Sequence, residues 1–142
     1  MSNFFPKYHV PVLSEELVNG LCVKPTGKYI DCTLGEAGHT QAILESTKPA
    51  PTMLGIDLDL DAISSARKSL DGYSKNVTFI NDNFGNLKAI ADENGFSSVD
   101  GVFFDLGLSS LQLEKQGRGF SFRSDDYLDM RFDKNQDFTA WD

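Results

Sequence analysis

Short runs of apolar residues alternate with helical patterns along most of the chain. Four runs predict β-strands, at residues 29–33, 52–56, 77–80 and 101–106. Between them, apolar residues recur at the three- and four-residue spacings of amphipathic helices. Strands that alternate with helices are typical of β-α-β units around a parallel sheet, so the pattern predicts an α/β fold.

The ends of the predicted helices carry recognisable signals. Ser14 is the expected N-cap of a helix that ends near Gly20, and Asp61 is the expected N-cap of the helix after the second strand. Another helix should begin near Gly38. One more should stop at residues 94–95, where Gly follows Asn.

Beyond the fourth strand the character of the chain changes. Residues 107–133 are rich in Gly, Ser, Asp and Arg and show no sustained period. An irregular stretch of this length in a compact domain usually carries function. Residues 139–142 resemble the first turn of a helix, so we expect the chain to stop part-way through its architecture.

Small and acidic residues follow the first two predicted strands. Gly35 and Gly38 lie in the turn after the first strand, but their spacing is not the G-x-G-x-x-G of dinucleotide-binding sites. Asp57 ends the second strand, about 20 residues beyond Gly35, where a carboxylate can accept hydrogen bonds from ribose hydroxyls. A solvated carboxylate in a turn is the alternative. Because ligands of doubly wound sheets bind beyond the carboxyl ends of the strands, these residues predict a nucleotide site.

The third and fourth strands end in further candidates. Asp82 and Phe84 could flank an adenine, the first by a hydrogen bond and the second by an apolar contact. The alternative is a turn aspartate beside a core phenylalanine. Asp105, followed by Ser109 and Ser110, lies where the reacting end of a bound cofactor is expected. It is our candidate for orienting the target or the cofactor, and no catalytic base is assigned.

The length, net charge and cysteine content of the chain limit which partners and cofactors are expected. The chain has 142 residues, enough for one domain with a core, and a formal net charge of −8 at pH 7. Because binding phosphates needs a basic surface, we expect no DNA partner, and RNA would need a local patch or protein outside this chain. Cys22 and Cys32 fit no zinc spacing and are expected to be buried thiols, so no metal is predicted. No membrane span or secretion signal is recognisable, so a cytoplasmic protein is expected.

Six segments are specific enough to indicate a family. They are residues 9–13 (HVPVL), 31–39 (DCTLGEAGH), 55–59 (GIDLD), 105–113 (DLGLSSLQL), 118–122 (RGFSF) and 128–131 (LDMR). Through these segments, from about residue 8 onward, the chain resembles the ribosomal RNA small subunit methyltransferase H family, also called MraW. The segments after the fourth strand are far more specific than the glycine turn of a generic methyltransferase.

The resemblance implies a Rossmann-like class I methyltransferase sheet and S-adenosylmethionine as cofactor. It also implies N4-methylation of a cytidine in 16S ribosomal RNA, near the decoding centre, with this RNA or the small ribosomal subunit as partner. By position, the family's cofactor contacts correspond to Ala37, Gly38, His39, Asp57, Phe84, Asp105 and Gln112. The strand ends indicate Asp57, Phe84 and Asp105 independently, whereas His39 and Gln112 rest on the resemblance.

The chain departs from the family pattern at three points. Ala37 stands where the family usually has Gly, and Leu111 stands where it usually has Pro. The family is also much longer, because a helical substrate-recognition domain follows the segment at 128–131 and later strands complete the sheet. That domain would begin near residues 137–142, so the sheet is expected to be incomplete here. The resemblance therefore implies the N-terminal, cofactor-binding part of such an enzyme.

The roles of the segment at 118–123 and of His9 are left open by the sequence. A pattern suited to gripping single-stranded RNA, cations interleaved with aromatics, occurs at Arg118, Phe120, Phe122 and Arg123. In the alternative, the aromatics pin the loop to the core and the arginines pair with nearby aspartates. These aspartates are Asp125, Asp126 and Asp129. His9 is expected to be structural or to support the site from outside, rather than to catalyse.

Three functions follow, in order of preference. The first is a methyltransferase of this family, in which methyl transfer needs an in-line approach and an exocyclic amine must lose a proton during or after attack. The second is a short chain that binds the cofactor or a partner without catalysis, which the acidic net charge favours. The third is a nicotinamide oxidoreductase, which the missing G-x-G-x-x-G turn disfavours.

Overall fold

The computed structural model describes residues 11–114 and 117–142, and its centre is a sheet of parallel strands in the order β3-β2-β1-β4. The strands are β1 (Lys28–Asp31), β2 (Thr52–Asp57), β3 (Val77–Asn81) and β4 (Gly101–Phe103). The α/β fold and each predicted strand are confirmed, although β1 and β4 end earlier than predicted. The prediction about His9 lies outside the described residues.

Helices connect the strands. They are α1 (Ser14–Gly20), α2 (Gly38–Glu45), α3 (Leu60–Ser69), α4 (Leu87–Glu93) and α5 (Ser110–Glu114), with short 3₁₀ turns at Asp71–Tyr73 and Phe84–Asn86. The first four α-helices match the predicted ones, and α5 lies in the stretch predicted to be irregular. Over residues 11–114 and 117–142, no helix is long and apolar enough to cross a membrane.

Two predicted helix caps are displaced. Asp59, not Asp61, caps α3, because its Oδ1 accepts a hydrogen bond from the Asp61 backbone N at 3.0 Å. Leu13, not Ser14, occupies the N-cap position of α1, and the Ser14 hydroxyl donates to the Pro11 carbonyl oxygen at 3.1 Å. Asp59 and Asp61 are equally suitable N-cap residues by type. The residue at which α3 begins, Leu60, decides that Asp59 is the cap.

Helices cover both faces of the sheet. Tyr29 points to the face that packs against α2 and α3, while its neighbour Ile30 points to the face that packs against α4. Burial on both faces explains why the strands are nearly continuous apolar runs. Cys32 is buried on the α4 side, but Cys22 is exposed, so the prediction of a buried thiol is wrong for Cys22.

The strand order creates a crevice. The chain runs outward from β1 through β2 to β3, and then crosses back to place β4 on the other side of β1. The segments that follow β1 and β4 therefore diverge where these strands end. Such a switch point is where open parallel sheets bind ligands.

Candidate functional site

A cleft of about 920 Å³ opens at the carboxyl ends of the strands. It is the size of a pocket for a small-molecule ligand or cofactor. Of the seven predicted site residues, all but Ala37 line it. They are Gly38, His39, Asp57, Phe84, Asp105 and Gln112.

Ala37 lies in the core next to the cleft, at the start of α2. It is buried in the core beside Leu34 and Ile43. Its φ is 68°, in the left-handed region, at the N-cap position of α2. An L side chain in this conformation costs about 1 kcal/mol, which is why glycine suits this position. Ala37 therefore sets the turn into α2, and its side chain stays outside the cleft.

Asp57 presents its carboxylate at the end of β2. Its Oδ2 accepts a hydrogen bond from the Gly35 backbone N at 2.7 Å, and its Oδ1 accepts one from the Asp59 backbone N at 2.9 Å. Burial raises the pKa of Asp57, and these hydrogen bonds offset part of that rise. Gly35 makes its contact with a φ of 54°, a conformation that favours glycine. The carboxylate is thus held in place by backbone groups from two turns.

Asp31, the last residue of β1, is a buried acid beside this cleft. Its Oδ2 accepts a hydrogen bond from the Thr40 hydroxyl at 2.8 Å, and its Oδ1 accepts one from the Thr33 backbone N at 3.1 Å. The pKa of Asp31 is raised to about 7, mainly by burial and to a smaller extent by the carboxylates of Asp57 and Asp105, against the opposing effect of these hydrogen bonds. Sequence reasoning did not single out Asp31, although an acid inside an apolar strand is a signal that could have identified it.

Asp105 lies at the mouth of the cleft, beyond the end of β4. Its backbone N donates to the Thr33 hydroxyl at 2.7 Å, which ties the turn after β4 to the turn after β1. Its Oδ2 lies 3.3 Å from His39 Nε2. The side chain of Asp105 is 64% exposed, against 13% for His39. The position of Asp105 is therefore fixed, and its carboxylate remains accessible to a ligand.

Phe84 offers an aromatic wall. It is 43% exposed, which contradicts the alternative of a core phenylalanine, and its ring meets that of Phe104 edge to face at 5.5 Å. Asp82 turns away: its Oδ1 accepts hydrogen bonds from the Asn83 backbone N and from Asn86 Nδ2. Asn83 lines the cleft where sequence reasoning had expected Asp82.

Gln112 lines the cleft beside the turn that follows β2. Its Nε2 donates to Asp59 Oδ2 at 3.2 Å, and its Oε1 accepts a hydrogen bond from the Ser109 backbone N at 3.0 Å. Both ends of the amide are therefore occupied within the protein. Gln112 fastens α5 to the end of β2.

The predicted RNA-gripping pattern divides into buried and exposed residues. Arg118 and Phe120 are buried, whereas Phe122 and Arg123 are exposed. Arg118 pairs with Asp59 at 3.0 Å, and not with the aspartates proposed as its partners from the sequence. Sequence reasoning missed this pair because the two residues lie in different elements.

The fold and the cleft together define a class of protein. Parallel strands in the order 3-2-1-4, a glycine turn after the first strand and an acid at the end of the second are features of the Rossmann-like sheet of class I methyltransferases. The chain belongs to the MraW methylase family, whose family model matches residues 6–142. The resemblance stated from the sequence is confirmed.

Individual relatives agree with this assignment. A ribosomal RNA small subunit methyltransferase H from Dehalococcoides mccartyi is 48% identical over 134 residues, which are 94% of this chain and 38% of that protein. One from Brevibacillus brevis is 44% identical over 135 residues, which are 95% of this chain and 43% of that protein. The chain thus spans less than half the length of these curated relatives.

A solved structure shares the fold. An S-adenosylmethionine-dependent O-methyltransferase from Thermotoga maritima superposes with a TM-score of 0.54 at 17% identity, covering 72% of this chain and 37% of that one. A likeness at this level of identity shows the fold alone. It supports the Rossmann-like parallel sheet described above.

Proposed function

We propose that this chain binds S-adenosylmethionine in the cleft and forms the cofactor-binding part of an enzyme that methylates N4 of a cytidine in 16S ribosomal RNA. Family membership supports the reaction and the RNA substrate, within the small ribosomal subunit. The observation that carries the cofactor assignment is the Asp57 carboxylate, held by two backbone N–H groups and facing the cleft. The cytoplasmic location expected from the sequence stays a prediction.

The residues of the cleft suit this cofactor. S-adenosylmethionine carries a sulfonium and an ammonium cation, and the acids Asp57 and Asp105 line the cleft. Asp31 and Asp57 have raised pKa values, which a bound cation would offset. Asp57 offers acceptors for ribose hydroxyls, and the half-exposed ring of Phe84 offers an apolar surface for adenine.

The same geometry suggests how the target would be handled. Bound in the cleft, the cofactor would supply an electrophilic methyl group. Asp105 can accept a hydrogen bond from the exocyclic amine, which would direct the nitrogen lone pair into the cleft. The amine proton leaves during or after attack, and Asp105 can receive it directly or through water. Asp105 is accessible enough to act in this way, and His39 holds one of its oxygens.

Isothermal titration with S-adenosylmethionine tests the cofactor site. We expect Asp57→Ala to weaken binding by about tenfold or more, since a hydrogen bond to a charged group contributes about 2 kcal/mol. Asp92→Ala is the matched control, because Asp92 belongs to an exposed pair with Lys88 and lies outside the cleft. Circular dichroism confirms that each variant is folded. Equal binding by the wild type and Asp57→Ala would contradict the assigned site.

Methyl transfer from labelled S-adenosylmethionine to 16S RNA or immature small subunits tests the reaction. We expect the label in N4-methylcytidine when the RNA is digested to nucleosides, and label in another nucleoside would refute the proposed target. Cofactor binding without transfer would favour the second candidate, a chain that binds without catalysis. The net charge of −8 and the burial of Arg118 favour that candidate. Tight binding of a nicotinamide cofactor would instead favour an oxidoreductase.

A further inference from the structure

Arg118 and Asp59 form a buried ion pair that no cofactor contact accounts for. The exposed fraction is 5% for Arg118 and 1% for Asp59. Arg118 Nη2 donates to Asp59 Oδ2 at 3.0 Å. The pair joins the loop beyond β4 to the turn between β2 and α3.

Asp59 connects this pair to the cofactor site. Its Oδ1 caps α3 through the Asp61 backbone N, while its Oδ2 also accepts the hydrogen bond from Gln112. Its own backbone N donates to Asp57 Oδ1 at 2.9 Å. Asp59 therefore contacts the ribose-binding candidate Asp57 through its backbone N–H and the α5 wall through its carboxylate.

Arg118 connects the pair to the segment that carries Phe132. The same Nη2 donates to the Arg131 carbonyl oxygen at 2.7 Å, and the Arg118 carbonyl oxygen accepts a hydrogen bond from the Met130 backbone N at 2.9 Å. Phe132, the next residue along, lines the cleft. The guanidinium thus holds the segment at 130–132 against the turn that follows β2.

We propose that Arg118 is a positioning residue of the cofactor site, which holds the wall carrying Phe132 against Asp59, the residue that also contacts Asp57 and Gln112. The proposal rests on the proposed binding of S-adenosylmethionine. A buried ion pair is a weak source of stability, because desolvation offsets its attraction and apolar replacements are often as stable. The planar guanidinium can reach several acceptors in a defined geometry, which a lysine ammonium cannot reproduce.

Stability and positioning can be separated with two variants. Arg118→Met leaves Asp59 buried without its cation, so we expect a lower midpoint of thermal unfolding together with weaker cofactor binding. Asp59→Asn combined with Arg118→Met removes both charges and keeps the acceptor that caps α3. Asp59→Asn alone is the reference, because it places the same amide opposite Gln112 while Arg118 is retained. We expect the double variant to recover the unfolding midpoint while its Kd for S-adenosylmethionine stays about tenfold or more above the wild type. A purely structural pair would recover binding and stability together, and that result would overturn the proposal.

Lys134→Met is the matched control. Lys134 Nζ lies 2.6 Å from Asp61 Oδ2 on the exposed side of the same turn, and Arg118 Nη1 lies 3.5 Å from that oxygen. Lys134→Met therefore removes a neighbouring cation and leaves the Arg118–Asp59 pair in place. We expect its Kd to stay within about twofold of the wild type. A loss as large as that of Arg118→Met would show that binding depends on the total positive charge near this turn, and would overturn the specific role of Arg118.

Hydrogen exchange gives a readout that does not depend on the cofactor. In the double variant, we expect the backbone amides of Gln112 and Met130 to exchange faster, while the Met53 amide within the sheet is unchanged. If neither amide exchanges faster, the positioning role of Arg118 and Asp59 is refuted. If both exchange faster but the wild-type chain binds no S-adenosylmethionine, the proposed function is refuted and the positioning role stands.

Discussion

The buried carboxyl group of Asp31 should make the free energy of unfolding depend on pH. It is 1% exposed, and burial raises its pKa from 3.8 to about 7, against the opposing effect of hydrogen bonds from Thr40 and Thr33. Between these two values the native chain holds a proton that the unfolded chain has released. Stability falls as pH rises wherever the native state binds more protons, so the free energy of unfolding should fall from pH 5 to pH 8.

The magnitude follows from the shift in pKa. A shift from 3.8 to about 7 corresponds to about 4 kcal/mol in total, of which about 3 kcal/mol is lost between pH 5 and pH 8. Asp31→Asn cannot ionise, and its side-chain oxygen can still accept the hydrogen bond from the Thr33 backbone N. We therefore expect this variant to lose most of the pH dependence and to be at least as stable as the wild type at pH 8.

Urea unfolding followed by circular dichroism at pH 5, 6, 7 and 8 measures this dependence. Asp92→Asn is the control, because Asp92 is exposed and its pKa is lowered by Lys88 rather than raised by burial. It should keep the slope of the wild type. If Asp31→Asn keeps that slope too, or lowers stability equally at pH 5 and pH 8, the buried proton is not where we place it.

Two further predictions concern the cleft and the loop beyond β4. Binding of S-adenosylmethionine should release protons and tighten between pH 6 and pH 8, since a bound cation lowers the pKa of Asp31 and Asp57; titration in buffers of different ionisation enthalpy measures this, and a pH-independent affinity would count against it. Gly119→Ala should destabilise the chain more than Gly117→Ala, as measured by urea unfolding. Both glycines have positive φ, which costs alanine about 1 kcal/mol, but a Cβ on Gly119 would lie 2.5 Å from the Tyr127 carbonyl oxygen, whereas one on Gly117 would have no described atom within 4 Å. Equal losses would contradict the steric argument.

Much of the fold could be read from local pattern. Each strand is a short apolar run because the sheet is covered on both faces, and each connecting helix has its own apolar spacing. The carboxyl ends of parallel strands share one edge, so the order of Asp57, Phe84 and Asp105 along the chain was enough to predict that they line one cleft. The glycine turn between β1 and α2 was also predicted from the sequence, because Gly35 and Gly38 directly follow an apolar strand.

Other features were settled by contacts between distant elements. Arg118 finds Asp59 across 59 residues, whereas sequence reasoning could consider only aspartates nearby. Asn83 rather than Asp82 faces the cleft, because the Asp82 carboxylate bonds within its own turn. The raised pKa of Asp31 depends on how completely the surrounding elements exclude water.

The sequence by itself determined the class of fold, the family and the edge of the sheet at which the cleft lies, because these depend on periodicity and on residue types at strand ends. The tertiary structure alone decided which carboxylate caps α3, which cation is buried and which acid holds a proton near neutral pH. Hydrogen-bond partners and desolvation depend on distances between elements far apart in the chain, and local pattern carries no record of those distances.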